Sequence, residues 1–303
     1  MHAQLIIEFY SIIRLAYLWI MHTVKTSILL SEIPTQGHSP LKFLCNDGNI
    51  YFCKYRVKAK AEELDCLLYE VVASRLLSKL NIPTPEIAIV EISEGSYDIN
   101  QIKANRNYIA PQLQYFGSRE VSGSDLVTEL DKLNTIEDFQ AFSNPLDLLR
   151  IAVFDLWIGN CDRGKGNAEY TPSISNNYNL LKSDDHGRIK IVAFDHGFAF
   201  EGERGFRIFN EHFPITTHGK LFGTQFYTDF LQYIEPAKAI SIIEAFYDRL
   251  LNLDVSSIVE ECFEQIPENW VGNENIKNKM IAYLTHSERL EEIVACAIKN
   301  SAL

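Results

Sequence analysis

The sequence predicts an α+β fold in two parts: a small β-rich N-terminal lobe carrying one long helix, then a larger helical C-terminal lobe. Three observations predict it. Short branched and aromatic runs separated by turn residues fill the early chain. A leucine- and valine-rich stretch at helical spacing interrupts them once. From Thr224 onward the pattern is amphipathic helix after helix, with no strand signal.

The elements follow in order. Val24 to Leu30 is β-rich and ends in the turn chemistry of Pro34 to Pro40. Leu41 to Leu44 and Asn49 to Tyr55 read as strands joined by Asn46-Asp47-Gly48, a hairpin signal. From Glu62 to Leu80, Leu64, Leu67, Leu68, Val71, Val72 and Leu76 mark a long helix, which Asn81-Ile82-Pro83 stops. Pro85 to Ile92 and Asn107 to Leu113 read as further strands, the second broken by Pro111. Asn144-Pro145 reads as N-cap and first residue of a helix to about Trp157. Tyr178 to Lys182 and Ile189 to Phe194 form a hairpin. The boundary is expected near Pro111 to Tyr115, giving an N-lobe of residues 21–112 and a C-lobe of 113–303.

Composition narrows the classes. With 303 residues, 47% hydrophobic and 22% charged, the chain is ordinary globular protein with enough apolar residue for a sizeable core. A formal net charge of -12 lacks the electrostatic footprint of a nucleic-acid binder, so direct nucleic-acid contact is not expected. Cys45, Cys53, Cys66, Cys161, Cys262 and Cys296 form no C-x-x-C and read as reduced thiols of a cytoplasmic protein. Leu5 to Met21 is apolar, but Gln4, Glu8, Ser11 and Arg14 make a polar stripe. Residues 1–20 read as an extension: either translation starts at Met21, or the segment is an amphipathic helix for a membrane surface or a partner.

The chemistry-bearing segment is Asn160-Cys-Asp-Arg-Gly-Lys-Gly-Asn167, followed by Phe194-Asp195-His-Gly197. Asp162 and Asn167 have the spacing at which kinases place a catalytic aspartate and a metal-binding asparagine. A carboxylate accepts the proton of the attacking hydroxyl, and an amide oxygen one loop turn later reaches a Mg²⁺ on the phosphates. Asp195, at the end of an apolar strand, stands where a second Mg²⁺ ligand is needed. Lys54, closing the second hairpin strand, is placed to reach α- and β-phosphates, with Glu70 on the following helix as its partner. Lys58 and Lys60 are rivals for that role. Gln36 to Pro40 would cover the phosphates with backbone N–H groups, and Tyr108 to Leu113 would be the adenine-contacting hinge, including Gln112. Arg163 and Lys165 read either as γ-phosphate contacts or as a solvated basic loop. Asp155 reads as structural, and His186 as a turn residue rather than a metal ligand.

In these stretches the sequence resembles the HipA-like kinases, an atypical protein-kinase-like fold akin to type II phosphatidylinositol 4-kinases. Gly37-His-Ser-Pro40, Asp47-Gly48 with Lys54, Tyr69 to Leu76 with Asn81 to Pro85, Asn160 to Asn167, Phe194 to Gly197 and Ile266 to Trp270 carry the resemblance. It covers roughly Met21 to the C-terminus. It implies an ATP- and Mg²⁺-dependent serine/threonine kinase with Asp162 catalytic and Asn167 and Asp195 holding metal. Lys54, Glu70, Gly37, His38, Ser39 and Gln112 would line the ATP site. It further implies a protein substrate, an antitoxin-like partner, and self-phosphorylation in the loop where Ser39 stands. A lipid or small-molecule kinase, and a pseudokinase that binds nucleotide without turnover, are the alternatives. The single loop glycine and His196 in the usual Phe position speak for the last.

Overall fold

The computed structural model describes residues 20–34, 39–55, 65–128, 130–160, 162–164, 178–200, 215, 220–271 and 275–301. The N-terminal stretch 1–19, Gly37, His38, Lys58, Lys60, Lys165 and Asn167 lie outside the described residues.

Five strands close into a barrel: β1 (Thr23–Glu32), β2 (Leu41–Cys45), β3 (Ile50–Lys54), β4 (Ile87–Glu91) and β5 (Gln114–Arg119), in the order β1-β2-β3-β5-β4. Only the closing β4–β1 pair is parallel. In β1, Val24 and Thr26 point inward, and then Leu29 does. A register shift between Thr26 and Ile28 inserts the extra residue that flips the alternation. The β2–β3 hairpin turns at Gly48, whose φ of +78° suits glycine. Gly117 is required for another reason: a Cβ there would meet Val90 Cγ2 of the neighbouring strand β4 at 2.4 Å.

Helix α1 (Asp65–Lys79) is buried from Asp65 to Leu77, on all its faces. Such a helix needs cover on both sides. The barrel supplies one side, and α6 (Val255–Phe263) with the 3-10 turn Glu268–Trp270 supplies the other.

After β5, residues 120–124 lead to a second sheet of β6 (Asp125–Leu126), β7 (Leu180–Asp185) and β8 (Arg188–Ala193). Between β6 and β7 come α2 (Ile136–Gln140) and α3 (Asp147–Trp157). The rest is helical: α4 (Gln225–Leu231), α5 (Pro236–Leu251), α6, α7 (Ile276–Thr285) and α8 (Ser287–Ser301). Helix α3 carries buried residues all round, and α5, α8 and β8 pack on it. Each large aliphatic or aromatic side chain buried there contributes about 1.5–3 kcal/mol. Among the described residues no helix is long and apolar enough to cross a membrane.

Two expectations need correction. Asn107 to Leu113 is turn rather than strand. Pro111 removes a donor, Gln112 sits at φ +68°, and pairing resumes only at Gln114. The barrel runs to Arg119, and residues 120–124 connect it to the second sheet. Asn144 does not cap α3, whose N-cap is Leu146. Its amide instead bonds Ile191 in both directions, at 2.8 and 2.9 Å, fastening α3 to β8.

Candidate active site

Lys54 is the last residue of β3 and is 7% exposed. Its Nζ lies 2.6 Å from Glu70 Oε1 and 2.6 Å from Asp195 Oδ1. Glu70 reaches it from α1, and its second oxygen accepts the His196 N–H at 2.8 Å. One buried carboxylate thus ties the end of the barrel to the residue after Asp195. Burial opposes the Lys54 ammonium, yet Asp195 and Glu70 outweigh it and hold its pKa above the usual lysine value. Burial pushes the Glu70 carboxyl up to about 7 against the pull of Lys54, with Asp195 adding to the push.

Asp195 follows β8 at φ +56°, backbone that costs a non-glycine residue and is held by its surroundings. Arg163 is the centre of those surroundings. The sequence leaves it as a phosphate contact or a solvated side chain; it is neither, at 0% exposure. Its guanidinium donates to the carbonyls of Tyr178 (3.1 Å), Asn179 and Phe194 (3.2 Å) and to His196 Nε2 (2.8 Å). Its Nε lies 2.8 Å from Asp155 Oδ2 on α3. An arginine that donates to Nε2 requires the neutral ring, and burial together with Arg163 keeps the His196 pKa well below its usual value. His196 meets Phe154 edge-on at 6.1 Å, so it fills apolar space as the expected Phe would.

Asp162 heads the same knot. Its N–H donates to Asn160 Oδ1 at 3.2 Å, while Asn160 Nδ2 donates to Asp155 Oδ1 at 2.9 Å. Lys220 Nζ bonds the Asn160 carbonyl. Asp155 is therefore structural, as its sequence context suggests. Asp155→Ala would leave a buried guanidinium unpaired, and a loss of about 3–5 kcal/mol is expected in denaturant unfolding. Asp155→Asn, which keeps the shape, is expected to cost less.

A residue the sequence reading passed over completes the cluster. Asn179, immediately before β7, donates from Nδ2 to the Asp162 carbonyl at 3.1 Å, to Asp162 Oδ2 at 3.2 Å and to the Asp195 carbonyl at 3.5 Å. With Nδ2 acting as donor, Oδ1 is the atom of this side chain that can accept or ligate. The available signal was position: an Asn directly ahead of the Leu180-Leu181 pair that opens the hairpin.

Of the expected nucleotide-covering loop, Ser39 is described. It is 5% exposed at φ +45°, and Asn105 Nδ2 holds its carbonyl at 2.7 Å. The loop base is closed by Ile33 N to Pro40 O at 2.9 Å. Glu32 accepts the N–H groups of Lys103 (2.7 Å), Ala104 (3.2 Å) and Asn105 (3.0 Å). Asn105 Nδ2 also reaches Glu32 Oε1, at 3.1 Å. Gln112 stands apart. It is exposed in the turn before β5, at the opposite end of that strand from 120–124, and its N–H bonds the Ile92 carbonyl at 2.8 Å.

A family model described as HipA-like kinase matches residues 33–297. Among solved structures, the chain is similar to a Helicobacter pylori proinflammatory kinase, CtkA, with TM-score 0.50 and 15% identity, over 92% of this chain and 98% of that one. A Golgi casein kinase follows at TM-score 0.49 and 9% identity, over 92% of this chain and 74% of that one. The same kinase with Mn/ADP bound follows at 0.47 and 10%, with the same coverage. No curated protein matches the chain.

Proposed function

The chain belongs to the HipA-like kinases, and from that premise we propose an ATP- and Mg²⁺-dependent serine/threonine protein kinase with Asp162 as its catalytic base. The observation that carries the proposal is Lys54 held at 2.6 Å between Glu70 and Asp195, with Asn179 binding Asp162 to the same cluster. In this reading the barrel with α1 is the nucleotide-covering lobe, the helical part is the other lobe, and 120–124 is the hinge between them.

Each group has a role set by its surroundings. Lys54 presents its ammonium to the α- and β-phosphates, and Glu70 fixes its direction. Asp162 accepts the proton of the attacking hydroxyl. Asp195 and an asparagine hold the metal. The donor set fits: one carboxylate and one amide are hard oxygen ligands, leaving other positions to phosphate and water as Mg²⁺ prefers. When bound, the ion neutralises charge on the transferring phosphoryl group. For the asparagine we assign Asn179, while Asn167 remains the rival that spacing suggests. Gly37, His38 and Ser39 would cover the phosphates with backbone donors. Catalysis would then be positioning and electrostatics.

Family membership supports a protein acceptor and a restraining protein partner. Cysteine usage supports a reducing, cytoplasmic setting: burial pushes the Cys45 and Cys262 thiols up to about 12, where they stay protonated and inert.

The test is purified protein with Mg²⁺ and γ-labelled ATP, beside a Lys54→Met variant, with label located by intact mass and phosphopeptide mapping. Label on the wild type alone supports the proposal. Neither label nor a nucleotide-dependent thermal shift overturns it.

The Glu32–Asn105 latch gives a second prediction. Asn105→Ala frees the Ser39 carbonyl and is expected to raise KM for ATP about 5- to 30-fold, the worth of one or two buried hydrogen bonds, with a smaller change in kcat. Steady-state kinetics at varied ATP checks it.

A further inference from the structure

We infer that Arg75 and Glu261 are a positioning pair that holds Glu70, and through it Lys54, in working geometry; the inference rests on the phosphotransfer reading above. Both Glu70 and Arg75 lie on α1, at a spacing that sends them to different faces of the helix. Glu70 faces the barrel and Lys54. Arg75 faces the C-terminal helices, where its Nε (3.2 Å) and Nη2 (2.9 Å) both donate to Glu261 Oε2 on α6. The pair is largely out of water, at 9% and 19% side-chain exposure.

The pair is the centre of a wider grip on the barrel unit. Arg249 of α5 donates to the Leu80 carbonyl just past the end of α1. Trp270 Nε1 donates to the Gln114 carbonyl at the start of β5, at 3.1 Å. Gln265 Oε1 accepts the Met21 N–H at 2.5 Å. Helix α1 is thus held on its inner face through Glu70 and on its outer face through Arg75. A roll or slide of the helix that moved the Glu70 carboxylate by about 1 Å would break a 2.6 Å contact to Lys54, and displacements of that size cost catalysis about 100-fold. Desolvation offsets most of what such a pair adds to stability, so its effect is better sought in geometry.

The experiment uses the full chain. Arg75→Met, Glu261→Gln and the double reversal Arg75→Glu with Glu261→Arg are compared with wild type by ATP turnover, by amide hydrogen exchange of residues 65–79, and by Tm. At a temperature below every Tm, the single variants are expected to lose about 10- to 100-fold in kcat and to exchange faster along α1, and the reversal to restore most of both. Glu261→Gln keeps shape and polarity, so it serves if Arg75→Met fails to fold. Wild-type kcat in the single variants overturns the inference, whether or not α1 exchanges faster. A reversal that recovers neither readout overturns it too. A wild type without ATP turnover sinks the phosphotransfer reading instead, and exchange along α1 then still decides whether the pair holds the helix.

Discussion

Asp162→Asn is expected to lower phosphoryl transfer about 10²- to 10⁴-fold, the range for losing a general base, while leaving the unfolding midpoint unchanged. The two effects separate because the substitution keeps the shape. The Asp162 side chain accepts from Asn179 Nδ2 at 3.2 Å, and an amide oxygen can accept in its place. The loop is otherwise held by main-chain groups and by neighbours: the Asp162 N–H on Asn160, the Asp162 carbonyl on Asn179, and Arg163 in its carbonyl cage. What disappears is the negative charge that can take a proton from a hydroxyl. Turnover of labelled ATP and denaturant unfolding, measured on one preparation, check both halves. Wild-type turnover in the variant would remove Asp162 from the chemistry.

How much of this was legible in the sequence depends on what each feature rests on. The Lys54, Glu70 and Asp195 cluster was legible because regular elements place all three: a strand end, a helix register and another strand end. Local periodicity fixes such positions. The end of the barrel was not legible. Gly117 weakens the strand pattern of Gln114–Arg119, and its reason is Val90 on the neighbouring strand, 2.4 Å from where a Cβ would stand. The apolar residues around Pro111 carry a local strand pattern, yet the segment is turn. The burial of Arg163 is not legible locally for a similar reason. Nothing local shows that three carbonyls, a histidine and Asp155 would converge on it, and only that convergence makes burying a guanidinium tolerable.

Two asparagines are candidates for the metal, Asn167 by its spacing and Asn179 by its contacts, and the expected result for the proposed assignment is specific. Asn179→Ala should lower turnover by at least the roughly 10- to 100-fold that even outer-sphere partners of a metal cost, with part of the loss recovered at high Mg²⁺. Asn167→Ala should stay near wild type. A loop-length rule assumes that the chain between aspartate and asparagine is fixed. Lengthening a loop costs only about 0.6 kcal/mol per doubling, so residues can be added there freely. In the proposed reading the site needs an amide at the foot of the hairpin, whatever the residue count. Asn179 meets that need across a separation of 17 residues from Asp162, bonding the carbonyls of Asp162 and Asp195 with one nitrogen. Turnover measured against Mg²⁺ concentration in the two variants decides between them. A rise in the Mg²⁺ requirement for Asn179→Ala alone assigns the ligand by geometry. The same rise for Asn167→Ala, with Asn179→Ala silent, would return the assignment to spacing and leave Asn179 as a brace for the Asp162 loop.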